Sequence, residues 1–489
     1  MKPNLIFIMA DQLRYDVLNK DTAPNLMELL SDSIIFENCY CASPLCVPSR
    51  GAIFTGLFPN NNGSLINPWE IKDACYGDVK TGVDNLYSLM GKNWYSIHSG
   101  KQHLYTEGGK LEDDINSDIK WFATEKTYKK FLESEGKKQP GINSFFKTLV
   151  PEMVDGKITK VSKYSNAEVG CYKEDQKYYF DRYFANNALE GLKRRDKSKP
   201  LFLSAMFVAP HPPLEIPEPW YSKFKNRHIT LPENVGKYYE YQSPLQMYNI
   251  TGIVGSHYDL NHWEQAWKVY LGLVSMLDDC IGDIIKELKN QDLYDSSIII
   301  FTSDHGEMLG SHRLFQKMCM YEESVRVPFF MKLPNGYKKA ISSTKLPISQ
   351  LDIMPTICDY LEVRSSNNFD GISLRSFIEN GEQISLQRPI FIQYDGNGSR
   401  SNFQRCIIFD GYKFIVDFFK DEIFYELYDL RQDRYEKNNL VFDESYDEKI
   451  LNMSCYLRKH MVETNDMIKM SSIDLHAFRD KYSSFKVRQ

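Results

Sequence analysis

The 489-residue sequence has no long apolar run, no block of basic charge and no disulfide-type cysteine spacing. No stretch approaches the roughly 20 apolar residues of a membrane-spanning helix. The first apolar run, between Asn4 and Asp11, is also too short for the core of a signal peptide. These absences predict an unexported, cytoplasmic protein with no membrane partner. A net charge of −6 with 25% charged residues offers no electrostatic footprint for a nucleic acid. Scattered cysteines in an unexported chain read as reduced, mostly buried thiols. The one close pair, Cys39 and Cys41, matches neither a zinc knuckle nor a redox C-x-x-C.

What is present is a set of four apolar, strand-like runs that each end in groups able to do chemistry. Leu5–Met9 leads to Asp11 and Gln12, and Trp94–His98 leads to Lys101 and His103. Leu201–Val208 leads to His211, and Ser297–Thr302 leads to Asp304 and His305. Continuous apolar runs suit the buried strands of a parallel sheet, whose ligands bind at the carboxyl ends of the strands. Four such ends predict one shared site.

Between the runs, Asn25–Leu30 reads as a short helix after Pro24, and Trp263–Leu288 carries an amphipathic stripe. Asp278 and Asp279 within that helix read as a solvated face rather than a metal pair. The charged, weakly periodic stretch 110–177 reads as an insertion with loops, which together with Leu214–His262 would shape specificity. After about residue 385, Arg388–Tyr394, Gln404–Phe409, Tyr412–Phe418 and Glu422–Leu430 are short, β-rich and separated by turn signals. The predicted architecture is α/β: a large, mixed, mostly parallel sheet flanked by helices over 1–384, then a small antiparallel-sheet subdomain over 385–489.

Pro48 fits the first turn of a helix, which sets Cys46 at its N-terminus, where amides and dipole favour an anion. Arg50 returns to the same face one turn on. Taken alone, the pair reads equally as a buried thiol beside a surface arginine. Asp11, Gln12, Asp304 and His305 form a mainly oxygen donor set suited to Ca²⁺, Mg²⁺ or Mn²⁺. Lys101, His103, His211 and Lys317 together would make an anion pocket with an available general acid.

At this point the residues resemble a known family, the sulfatases of the alkaline-phosphatase-like superfamily. Cys46-Val47-Pro48-Ser49-Arg50 is similar to the C-x-P-x-R signature whose cysteine maturation enzymes oxidise to formylglycine. Ser99-Gly100-Lys101-Gln102-His103-Leu104 resembles a second signature, with Gln102 in place of an aromatic residue. In-order likeness continues through Asp304-His305-Gly306-Glu307, Lys317, Leu351-Asp352, Asp370-Gly371 and Leu427-Tyr428-Asp429.

The resemblance implies that Asp11, Gln12, Asp304 and His305 bind one divalent metal, Ca²⁺ first, together with the modified Cys46. It implies that Arg50 orients the formylglycine hydrate, that Lys101 and Lys317 hold sulfate oxygens, and that His103 and His211 handle protons. His312, near Lys317, is carried as a further substrate contact. The implied activity is hydrolysis of a small organic or saccharide sulfate ester, after a transient encounter with a formylglycine-generating maturase, with room for a homo-oligomer. Gln12 replaces a second aspartate found in many sulfatases, which points to the choline-sulfatase and phosphonate-monoester-hydrolase branch. Phosphonate monoesters and phosphodiesters are therefore the alternative substrates, and a non-catalytic binding relative is a lesser one.

Overall fold

The computed structural model describes residues 2–69, 71–107, 109–114, 117–141, 148–154, 157–382, 387–398, 400 and 402–483, without the side chains of 71–72 and 148–164. The expected boundary at 384/385 lies outside the described residues, as do 115–116, 142–147 and 155–156 of the expected insertion.

In chain order the elements that matter are β1 (Asn4–Asp11), α1 (Pro24–Ser31), β2 (Ile34–Phe36), α2 (Cys46–Thr55), β3 (Tyr95–Gly100), β4 (Lys120–Ala123) and α3 (Glu125–Ser134). They continue with β5 (Leu201–Pro210), α4 (Leu260–Asn290), β6 (Ser297–Ser303), β7 (Phe329–Lys332) and β8 (Ser343–Thr344). The C-terminal elements are β9 (Ile390–Tyr394), β10 (Phe403–Phe409), β11 (Tyr412–Phe419), β12 (Glu422–Asp429) and α5 (Asp447–Glu463). The main sheet has eight strands in the order β8-β2-β7-β6-β1-β5-β3-β4. The five strands from β6 to β4 pair in parallel, whereas β7 runs against both its neighbours.

The continuous apolar runs follow from two covered faces. Ile6, Ile8 and Ala10 of β1 point into a core shared with Tyr270, Leu273, Leu277, Ile281 and Ile284 of α4. Leu5, Phe7 and Met9 point into the opposite core with Ile53 and Phe54 of α2. With both faces buried, alternation disappears from the sequence.

Two expectations are corrected. Asp278 is fully buried, not solvated: its carboxylate accepts from the backbone N–H of Asn25 at 3.0 Å and of Leu26 at 2.7 Å. It thereby serves the free amides at the start of α1, for which Ala23 has no side chain to offer. Asp279 remains exposed and accepts from Trp220 Nε1 at 2.6 Å. The stretch 110–177 is also more than a looped insertion. It contributes β4, the edge strand of the main sheet, and α3, whose Tyr128 and Leu132 are buried. Its charged surface positions masked that amphipathic helix.

The four C-terminal strands form an antiparallel sheet in sequence order. One face, with Phe414, Val416 and Leu427, packs on Ile450, Met453 and Leu457 of α5. The other, with Cys406, Ile408, Ile415 and Tyr428, packs on Met308, Leu314, Met318 and Tyr321. That second face backs the loop carrying Lys317. Among the described residues all ten cysteines are free, and no helix is long and apolar enough to cross a membrane.

Candidate active site

The ends of β1, β3, β5 and β6 converge on the first turn of α2. Asp11 closes β1, Lys101 follows β3, His211 follows β5, and Asp304 and His305 follow β6. Gly100 precedes Lys101 with φ of 130°, and a Cβ there would collide with the Met206 carbonyl of the neighbouring strand. A side chain at Gly306 would likewise collide with the Glu323 carbonyl, so the strand-end loops close only around glycine. Gln12 adopts φ of 65°, and its backbone N–H donates to Asp304 Oδ1 at 3.1 Å.

Ligand atoms of Asp11, Cys46, Asp304 and His305 all lie within 4.8 Å of one another, and all four residues are buried. His305 Nε2 is 3.2 Å from Cys46 Sγ, which lies 3.9 Å from Asp11 Oδ1. The opposite ring nitrogen of His305 donates to the Gly306 carbonyl at 3.0 Å. Arg50 ties the carboxylates together: Nη2 reaches Asp11 at 2.9 Å, Nε reaches Asp304 at 3.0 Å, and Nη1 donates to the Lys101 carbonyl at 2.5 Å. Each of its three nitrogens thus reaches a ligand carboxylate or a carbonyl. Lys101 Nζ pairs with Asp11 at 2.6 Å, and Lys317 Nζ donates to Gln12 Oε1 at 2.6 Å.

The charges act on one another strongly because water is excluded. Burial and Asp11 push the Cys46 thiol up, but Lys317, Lys101 and His305 outweigh them and hold it well below its ordinary value. Asp11 is likewise held low, against burial, by Lys101, His211 and Arg50. Asp304 goes the other way, raised by burial and by Asp11 beside it. Burial together with Lys317 and Lys101 pushes His211 down to about 3, so its ring is neutral. Its Nδ1 donates to the Pro212 carbonyl at 2.5 Å.

His103 stands at the rim, with Nε2 3.2 Å from Glu125 Oε2. His312 is no substrate contact. It is fully buried, stacked at 4.0 Å on Tyr321, and its two nitrogens are taken by Gln242 and the Tyr435 carbonyl. Sequence proximity to Lys317 was misleading because the loop turns between them.

Several residues were missed. Asn67 Oδ1 accepts from the Val47 N–H at 3.1 Å, serving the helix start where Leu45 provides no cap, and its Nδ2 donates to Asn397 in the loop after β9 at 2.9 Å. Ser49 donates to the Asp304 carbonyl at 2.5 Å, and Glu307 accepts from the Gln12 amide. Ser49 and Glu307 sit inside the recognised motifs, so their types were visible. Asn67 and Glu125 carry no sequence signal.

A family model described as Sulfatase matches residues 3–363. The chain belongs to the sulfatase family. This places it in the alkaline-phosphatase-like superfamily, among the sulfuric ester hydrolases. A second model, N-sulphoglucosamine sulphohydrolase, C-terminal, matches residues 310–463. Among curated sulfatases, an arylsulfatase of Clostridium perfringens is 28% identical, over 95% of this chain and 94% of its own length. A choline-sulfatase of Rhizobium meliloti is 26% identical, over 90% of this chain and 82% of its own. The sulfatase fold is shared with the crystal structure of the phosphonate monoester hydrolase of Agrobacterium radiobacter, at a TM-score of 0.76 and 21% identity over 95% of this chain and 96% of that one.

Proposed function

We propose that this chain hydrolyses a sulfate ester of a small organic or saccharide substrate, using a formylglycine made from Cys46 and one divalent cation. The reading is carried by the convergence of Asp11, Cys46, Asp304 and His305 within 4.8 Å at the start of α2. Cys46 Sγ stands in for the oxygens that a formylglycine hydrate would place there. Two carboxylates, the Gln12 amide oxygen and an imidazole suit a hard cation, Ca²⁺ first and Mn²⁺ or Mg²⁺ next. Bound there, the cation would supply Lewis-acid polarisation and favour an ionised nucleophile.

The chain's own groups account for the remaining work. Arg50 holds the two carboxylates in one geometry. Lys101, against Asp11, and Lys317, against Gln12, would hold sulfate oxygens and meet the charge that develops on them. His211 is neutral with Nδ1–H committed, so Nε2 is its nitrogen open to a proton. Cys46 is only 3% exposed within a wholly buried helix, so a maturase would have to read Cys46–Arg50 before the fold closes.

The test is mass analysis of the Cys46 peptide from the native host, paired with sulfate release from aryl, sugar and choline esters. Aldehyde at position 46 with sulfate release supports the reading. Unmodified cysteine with no ester turned over favours a non-catalytic binding relative. Gln12 leaves the site one carboxylate poorer than a second aspartate would, which admits a more anionic phosphoryl group. Matched aryl sulfates and phosphonates separate the two, and faster phosphorus chemistry would replace sulfate as the assigned substrate.

A further inference from the structure

His305 touches Cys46, His211 acts on Asp11, and His103 follows Lys101 by two residues; each has one ring nitrogen committed. His305 and His211 donate Nδ1–H to the carbonyls of Gly306 and Pro212, so both present Nε2. His103 is the reverse: Nε2 faces the Glu125 carboxylate at 3.2 Å, and Nδ1 is buried without a partner.

The fold brings this pair together through two adjacent strands. β3 and β4 are parallel neighbours at the end of the sheet, with His98 opposite Trp121 and Ser99 opposite Ala123. β3 runs out into Lys101 and His103, and β4 runs out into Thr124 and Glu125. A capping box fixes that second turn: Thr127 Oγ1 accepts from the Thr124 N–H at 2.8 Å and Thr124 Oγ1 from the Thr127 N–H at 3.3 Å. Glu125, the first residue of α3, is thus held beside the ring, its side chain 45% exposed at the rim. The ring meets Trp69 edge-on at 5.7 Å and Tyr105 at a tilt at 6.1 Å.

We propose that Glu125 is a positioning residue: its carboxylate keeps the His103 proton on Nε2 and so makes Nδ1 the nitrogen that exchanges a proton at the reacting centre. This rests on the reading of His103 as a proton-handling group. A proton taken up at Nδ1 makes the ring an imidazolium, its Nε2 proton stays in place, and the Glu125 carboxylate balances the new charge without being protonated.

The charged and titratable neighbours are Glu125, Lys101 on the same segment and Tyr105 just after it, with Lys110 and Glu112 beyond. Trp69 adds no charge. Burial raises the Glu125 carboxyl, but His103 and Lys101 outweigh it and hold it below the usual carboxylate range.

Glu125→Ala and Glu125→Gln in the full chain test the assignment. The first readout needs no substrate: NMR of isotope-labelled histidines, with His103 assigned by its loss in His103→Gln. The wild type should show the Nε2–H tautomer. Glu125→Ala should show mixed tautomers and an imidazolium that deprotonates at lower pH. With a sulfate ester, Glu125→Ala should lower kcat about 100-fold, the low end for a positioned proton-transfer group. The acidic limb of its kcat–pH profile should move to lower pH, with KM changed less than kcat. Glu125→Gln, which can still accept from Nε2–H, should keep the tautomer and show only the pH shift. It also carries the test if Glu125→Ala does not fold. Unchanged His103 signals in folded Glu125→Ala, or no pH shift in Glu125→Gln, would overturn the proposal. A tautomer shift with no ester turned over would support Glu125 positioning and sink the sulfatase reading instead.

Discussion

Arg50 Nε donates to Asp304 Oδ2 at 3.0 Å, one helical turn after Cys46 and with both side chains fully buried. The guanidinium spans to Asp11 as well, so the residue that follows the nucleophile also sets the spacing of the two carboxylates. This coupling gives the first of four predictions.

Arg50→Ala leaves Asp11 and Asp304 close together without their shared cation. Breaking a buried pair by removing one partner costs about 3–5 kcal/mol. Urea unfolding should show a loss of that size, smaller in Arg50→Lys, which keeps the charge but not the two-pronged geometry. A loss under about 1 kcal/mol, the range of an exposed pair, would contradict the buried bridge.

Cys46→Ser and Cys46→Ala should lose turnover by about 10⁴-fold or more, as removal of a nucleophile does. Circular dichroism should be unchanged, because each replacement is smaller than cysteine. Residual rates near wild type in Cys46→Ala would remove this residue from the chemistry.

Lys317 Nζ donates to Gln12 Oε1, and the Gln12 amide nitrogen donates to Glu307. The carboxylate thereby aims the Gln12 oxygen away from itself. Glu307→Ala frees the amide to rotate and should weaken divalent-cation binding about 10- to 100-fold, the usual effect of losing such a support. Competition with a chelator measures it without substrate. Chelation should also lower the wild-type melting temperature, and equal cation affinity in the variant would refute the orienting role.

Asp417 is buried in the C-terminal sheet, where burial raises its carboxyl to about 8, and Glu426 is raised by burial to about 7. Each binds its proton more tightly folded than unfolded. Their contribution to stability is complete below pH 4 to 5 in round terms and is lost as pH rises through about 7 and 8. Denaturation midpoints should fall over that window, on the order of 1 kcal/mol per pH unit. Asp417→Asn should flatten the fall, and an equally steep fall in the variant would exclude Asp417 as its source.

The long helix α4, the four C-terminal strands and the four strand ends were legible because periodicity and apolar runs report burial directly. Asp278 was not, since a helix position facing solvent by sequence can face another helix's free amides in space. Glu125 was hidden for a related reason. A charged stretch reads as a loop, although β4 and α3 within it need only a few apolar contacts to dock. His312 shows the converse, a residue close in sequence to Lys317 that packs on Tyr321 instead.

The sequence by itself determined the cast: Cys46 at a helix start, acids and an imidazole at strand ends, two lysines to meet an anion. Local spacing and strand polarity carry that information, because each motif is a few residues long. Only the tertiary structure decided which of the cast touch and through which atom. It turned Arg50 onto Asp11 and Asp304, gave His103 a carboxylate on Nε2, and backed the Lys317 loop with a sheet from the far end of the chain. Hydrogen-bond partners and tautomers depend on side chains hundreds of residues apart, and that distance is closed by packing, not by local pattern.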